Sequence, residues 1–193
     1  RKLVVTVVHT FTGYSTSESI DTSRWVISNT ETDPVSIDEV FLTPKRLTNN
    51  KIRAGGMDDL SVLLLSNKLS ASDVEVLSPT VSTRVTTHGY VSSERLIDSE
   101  AADLRVPPYH IDNPTPLKAG ASYFGMSGGP VYENGYQPKR LLALNIGGVG
   151  KTTVRPVTPD LILFLVAMDQ YAINSGVLAM PDWQHFFSKE TLV

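Results

Sequence analysis

Apolar residues fall in short bursts separated by polar turns along most of the chain. Residues 4–8, 25–27, 60–65, 81–87, 131–132 and 141–146 are rich in β-branched, aromatic or leucine side chains, which suit a pleated, half-buried strand. Asn49-Asn50, Gly55-Gly56, Asn113-Pro114 and Asn134-Gly135 punctuate them as turns. Asn134-Gly135 is the strongest hairpin signal, because both central residues of such a turn need positive φ. Many short strands without intervening helices predict β-barrels or a sandwich.

One segment breaks this pattern. Thr158-Pro159-Asp160 offers an N-cap, a proline for the first helical position and an early acid. Apolar residues then recur over 161–173, and Gly176 can end the helix. The polar stretch 67–72 is the candidate linker between two β halves. The expected division is therefore 1–68 and 69–193, with the helix belonging to the second half.

Composition narrows the function. The chain has 193 residues, 41% of them hydrophobic and 19% charged, enough for a real core. A net charge of -3 and a pI near 5.8 provide no basic patch, so nucleic acid is not an expected partner. No apolar run approaches the roughly 18 residues of a membrane span. Cysteine is absent, which excludes disulfides, thiolate metal sites and a cysteine nucleophile. That absence leans toward an intracellular setting.

The chemistry concentrates in Gly125-Met126-Ser127-Gly128-Gly129-Pro130-Val131. A serine hydroxyl is a weak nucleophile until a base takes its proton. The oxyanion of an acyl-transfer intermediate needs backbone N–H donors aimed at it. A glycine two residues before the serine lets the backbone turn its amides inward, and glycines after it admit a close substrate. The expected oxyanion donors are the amides of Gly125 and Ser127. A glycine-rich turn with an exposed serine is the plainer reading of a bare G-x-S-G, and the longer motif with strand and hairpin behind it outweighs that reading.

This segment resembles the G-x-S-G-G-P nucleophile motif of the chymotrypsin-like serine proteases. Two further segments match in the same chain order. Val4-Val5-Thr6-Val7-Val8-His9 resembles the family's V-L-T-A-A-H, and Asp58-Asp59-Leu60-Ser61-Val62-Leu63 resembles N-D-I-A-L-L. The resemblance implies His9 as general base, Asp59 as the acid that orients it, and Ser127 as nucleophile. Asp58 is the competitor for the acid's place. The implied fold is all-β: two antiparallel β-barrels and a C-terminal helix, with a catalytic cleft between the barrels. Only eight residues precede His9, so the first barrel is expected to be N-terminally incomplete, with an upstream segment as the partner that would complete it.

The specificity pocket follows from the same resemblance. Leu144-Asn145-Ile146-Gly147-Gly148 is similar to the I-H-V-G-G segment of picornavirus-type main proteases. Asn145, Ile146 and Gly147 are thus expected to wall the substrate pocket, with Asn145 replacing the family's histidine. Ala121 and Ser122 align with the pocket base, where no acid stands to select Arg or Lys. Met126 occupies the place of the aspartate that zymogen-activated members pair with a new N-terminus. The chain is therefore more similar to viral polyprotein-processing or HtrA-type proteases, and for a viral enzyme the expected location is the host cytoplasm. His88, His110 and His185 are read as structural.

The implied function is serine endopeptidase, acting on a polypeptide with no metal and no cofactor. Two alternatives stand beside it. One is a protease-fold scaffolding module without turnover. The other is a P-loop nucleotide binder, suggested by Gly147-Gly148-Val149-Gly150-Lys151-Thr152-Thr153. The β-branched, proline-broken residues 153–157 oppose it, because no helix can begin there to receive a phosphate.

Overall fold

The computed structural model describes residues 3–12, 20–28, 33–42, 47–48, 51–52, 59–68, 75–80, 82–92, 95–104, 115–117, 125–147 and 152–174. Contacts divide the chain into two units, one of residues 1–54, 60–72 and 160–193, the other of residues 55–59 and 73–159.

Among the described residues the first unit holds six strands: β1 (Leu3–Thr6), β2 (Val26–Ile27), β3 (Val35–Leu42), β4 (Leu47–Thr48), β5 (Lys51–Ile52) and β6 (Ser61–Leu65). Four of them form an antiparallel sheet in the order β1-β6-β3-β2, an open half-barrel, and β4 pairs with β5 apart from it. β6 lies between two partners, which explains its nearly unbroken apolar run and the burial of four of its five residues. Ile37, Leu63 and Leu65 form the core, with Val4, Phe11, Trp25 and Ile27 packed against it. The Phe11 and Trp25 rings meet edge to face at 5.1 Å.

β1 is shorter than its apolar run. It stops at Thr6, and the chain tightens as Phe11 N–H donates to the Val8 carbonyl, opening the single turn α1 (His9–Thr12). Val7 and Val8 are fully buried all the same. Their β-branched character reflects burial here, not strand geometry.

The helix α2 (Pro159–Ile173) is present over the expected residues. Asn174 closes it by donating both its backbone N–H and its side-chain amide to the Gln170 carbonyl, each at 3.0 Å. Gly176, the expected terminator, lies outside the described residues. Leu161, Phe164, Leu165, Met168 and Ala172 are buried at helical spacing, while Leu163, Val166 and Ile173 are exposed. Residues 160–173 group with the first unit. The periodicity of a helix specifies which face is apolar but not which surface receives it.

The second unit holds β7 (Glu75–Leu77), β8 (Ser82–Ser92), β9 (Arg95–Leu104), β10 (Thr115–Leu117), β11 (Pro130–Glu133), β12 (Lys139–Gly147) and β13 (Thr152–Pro156). They make one seven-stranded sheet in the order β10-β13-β12-β11-β8-β9, with β7 added parallel to the start of β12. Its terminal strands β9 and β10 approach each other, so the sheet curls toward a barrel. Val85, Val131, Leu142, Ala143 and Val154 fill the core. The connection between β11 and β12 turns at Asn134-Gly135, with Gly135 at φ 86°, but Glu133 pairs with Arg140, so it is longer than the two-residue hairpin turn the sequence predicts. β13, not a helix, follows Lys151, which removes the helix N-terminus that a phosphate loop requires.

Candidate active site

The glycine-rich segment of residues 125–129 leads into β11. Gly125 and Gly128 hold φ of 99° and 81°, the left-handed region that a side chain resists. Met126, between them, is 1% exposed and packs on Gly89 of β8. A Cβ at Gly89 would come within 2.8 Å of the Met126 Cβ. A Cβ at Gly129 would overlap the His88 carbonyl oxygen. Glycines on both sides of the contact thus let the loop lie flush on β8. Gly89 was missed as a site residue from the sequence, although a glycine inside a strand is itself a sign of close backbone approach.

Backbone hydrogen bonds fasten the other side of the loop. Gly128 N–H donates to the Asn145 carbonyl at 2.7 Å, and Asn145 N–H donates to the Gly129 carbonyl at 2.8 Å. Gly129 N–H closes a turn on the Met126 carbonyl at 3.0 Å. The part-buried Ser127 hydroxyl donates to the Ile146 carbonyl at 3.3 Å. The second unit therefore brings together Gly125, Ser127, Asn145, Ile146 and Gly147, five of the residues singled out in the sequence. Asn145 is fully buried, and its backbone carries the loop from both sides. Ala121 and Ser122, the expected pocket base, lie outside the described residues, as do Asp58, His110 and His185. His88 packs edge to face on Tyr132 at 5.0 Å, in keeping with a structural histidine.

His9 opens α1, three residues beyond the end of β1, and is 6% exposed. Asp59 comes two residues before β6 and is fully buried. β1 and β6 pair antiparallel, with Thr6 at the end of β1 opposite Ser61 at the start of β6. Ser61, also fully buried, ties that end together by donating its hydroxyl to the Thr6 carbonyl at 3.4 Å. Burial of an acid or an imidazole is costly unless it is satisfied, and both Asp59 and His9 have an interaction within the protein.

Comparison with solved structures settles the architecture. A serine protease of a human pathogenic astrovirus superposes with a TM-score of 0.51 at 18% identity, covering 82% of this chain and 80% of its own. A Glu endopeptidase gives 0.54 at 13% identity, covering 88% and 81%. The protease Anisep from Arthrobacter nicotinovorans gives 0.55 at 11% identity, covering 89% and 82%. The chain has the chymotrypsin-like serine protease fold. No family model and no curated protein sequence matches it. The chymotrypsin-like fold is thus shared with these structures at 11–18% sequence identity. No helix among the described residues is long and apolar enough to cross a membrane.

Proposed function

We propose that this chain is a serine endopeptidase that cleaves a polypeptide through an acyl-enzyme. Ser127 is the nucleophile, His9 the general base and Asp59 the carboxylate that orients the imidazole. His9 takes the Ser127 hydroxyl proton as the oxygen attacks the scissile carbonyl, and returns it to the departing amine. Water then attacks the ester with His9 again as base, releasing the acid and restoring Ser127. The Gly125 and Ser127 amides hold the oxyanion in both halves. Asn145, Ile146 and Gly147 wall the substrate pocket.

The observation that carries this reading is the nucleophile loop itself. Two glycines at positive φ, a buried Met126 and two backbone bonds to Asn145 fix Ser127 in a rigid frame, as an oxyanion site requires. The burial of His9 and of Asp59 supports the assignment of base and acid. The likeness in fold to an astrovirus protease, with Met126 where an activation aspartate would stand, supports processing of a viral polyprotein as the context.

A fluorophosphonate probe followed by intact mass and peptide mapping tests the proposal. A single adduct on Ser127, absent in His9→Ala and in Asp59→Ala, is expected. A folded protein that takes no adduct would replace this reading with that of an inactive scaffold.

A further inference from the structure

The nucleophile loop rests on an irregular stretch of β12. Asn145 pairs with Val154 of β13 and Gly147 pairs with Thr153, so β12 spends two residues where β13 spends one. Ile146 is the extra residue of a β-bulge. A bulged residue leaves the ladder, and the Ile146 carbonyl is the group that accepts the Ser127 hydroxyl at 3.3 Å. Gly147 completes the bulge at φ 134°, open to glycine and closed to most other residues. The Thr153 hydroxyl donates to the Gly147 carbonyl at 2.6 Å, across the pair that restores the register.

We infer that Thr153 is a positioning residue for Ser127, acting through the bulge it pins. This rests on the proposed role of Ser127 for its catalytic meaning, but the mechanical linkage stands by itself. Three bonds join the loop to the bulged segment: Gly128 to Asn145, Asn145 to Gly129 and Ser127 to Ile146. All three depend on where residues 145–147 sit. The ladder shifts register at Ile146, and the Thr153 hydroxyl adds a side-chain restraint on that stretch from the neighbouring strand. No substrate group is needed for this, and Thr153 itself touches none of the reacting atoms.

Thr153→Val keeps the branched shape and removes the hydroxyl, and Thr153→Ser keeps the hydroxyl. Hydrogen exchange of the Gly128 and Asn145 amides is measured first, because it needs no activity. Exchange at both is expected to quicken roughly tenfold in Thr153→Val, the scale of one lost hydrogen bond. It should recover in Thr153→Ser, while Val85 and Val131 in the sheet core are unchanged. The rate of fluorophosphonate labelling of Ser127 is expected to fall by a similar factor and to recover likewise. Unchanged exchange at Gly128 and Asn145, or a uniform rise across the whole sheet, would overturn the inference. Failure of the unmutated protein to label would instead count against the protease reading, with exchange still deciding the role of Thr153.

Discussion

The glycine-rich loop around Ser127 and the end of the β1–β6 ladder at Thr6 and Ser61 reach order by opposite means. The loop is held by backbone: positive φ at Gly125 and Gly128, missing Cβ atoms at Gly89 and Gly129, and amide bonds to Asn145. The ladder end is held by side chains: Val7, Val8, Leu60 and Val62 are fully buried around it, with strand register doing the alignment. Backbone fastening tolerates few residue types at each position but needs little apolar mass. Side-chain fastening accepts many apolar residues but fails when volume is lost. The two regions should therefore break under different substitutions.

Removing the hydroxyl of the proposed nucleophile gives the largest expected effect. Ser127→Ala should lower turnover by about a million-fold and leave the melting temperature within a few degrees of the parent. Peptidase assay beside thermal melting checks both. In the ladder, Leu63→Ala should cost about 3 kcal/mol by opening a cavity against Ile37 and Leu65, read from urea denaturation. The loop should suffer comparably from adding one carbon. Gly129→Ala drives a Cβ into the His88 carbonyl and within 2.9 Å of the Met126 carbonyl, and about 2–3 kcal/mol of destabilisation is expected. Gly135→Ala sharpens this, since its φ is 86° but its Cβ would meet nothing within 4 Å. Only conformational strain remains there, about 1 kcal/mol. Equal losses at 129 and 135 would show that close approach to β8 contributes nothing.

The smallest effect belongs to a polar cap in the first unit. Asp21 caps the short turn Thr22–Arg24, accepting from the Ser23 hydroxyl at 2.6 Å and its amide at 3.1 Å. The Ser23 hydroxyl, and after it the Ser23 amide and Arg24, hold the Asp21 carboxyl below its ordinary value. A carboxyl lowered on folding stabilises above its unfolded pKa and loses that contribution as pH falls through the folded one. Asp21→Asn should therefore narrow the stability difference between neutral and acidic pH slightly, as measured by melting at pH 7 and pH 3.

These regions also differ in how far the sequence exposes them. Glycine-dependent geometry leaves a literal trace, so the loop around Ser127 and the hairpin at Gly135 are readable directly. Apolar runs locate β6 and α2 for the same reason. β3 escapes notice because its register slips between Ile37 and Glu39. That slip breaks the period of two, placing Asp38 and Glu39 both in solvent between the buried Ile37 and Phe41. β9 escapes because its ten residues include Asp98, Glu100 and Asp103, which no propensity scale assigns to a strand. Its pairing with β8, from Arg95 opposite Ser92 to Leu104 opposite Ser82, overrides that preference. The bulge at Ile146 leaves no sequence trace apart from Gly147, because a bulge is a relation between two strands.

The link between β13 and α2 carries one more lesson. Arg155 is 2% exposed, and its guanidinium donates to the Pro156 carbonyl and, at 3.5 Å, to the Thr158 hydroxyl, just before the helix begins at Pro159. Histidine or lysine in such a place could shed its proton and let go. A guanidinium keeps its charge at any pH a folded protein meets. The strand-to-helix passage is therefore a joint that acid and mild alkali leave fastened, and any response of this protein to pH must originate elsewhere in the chain.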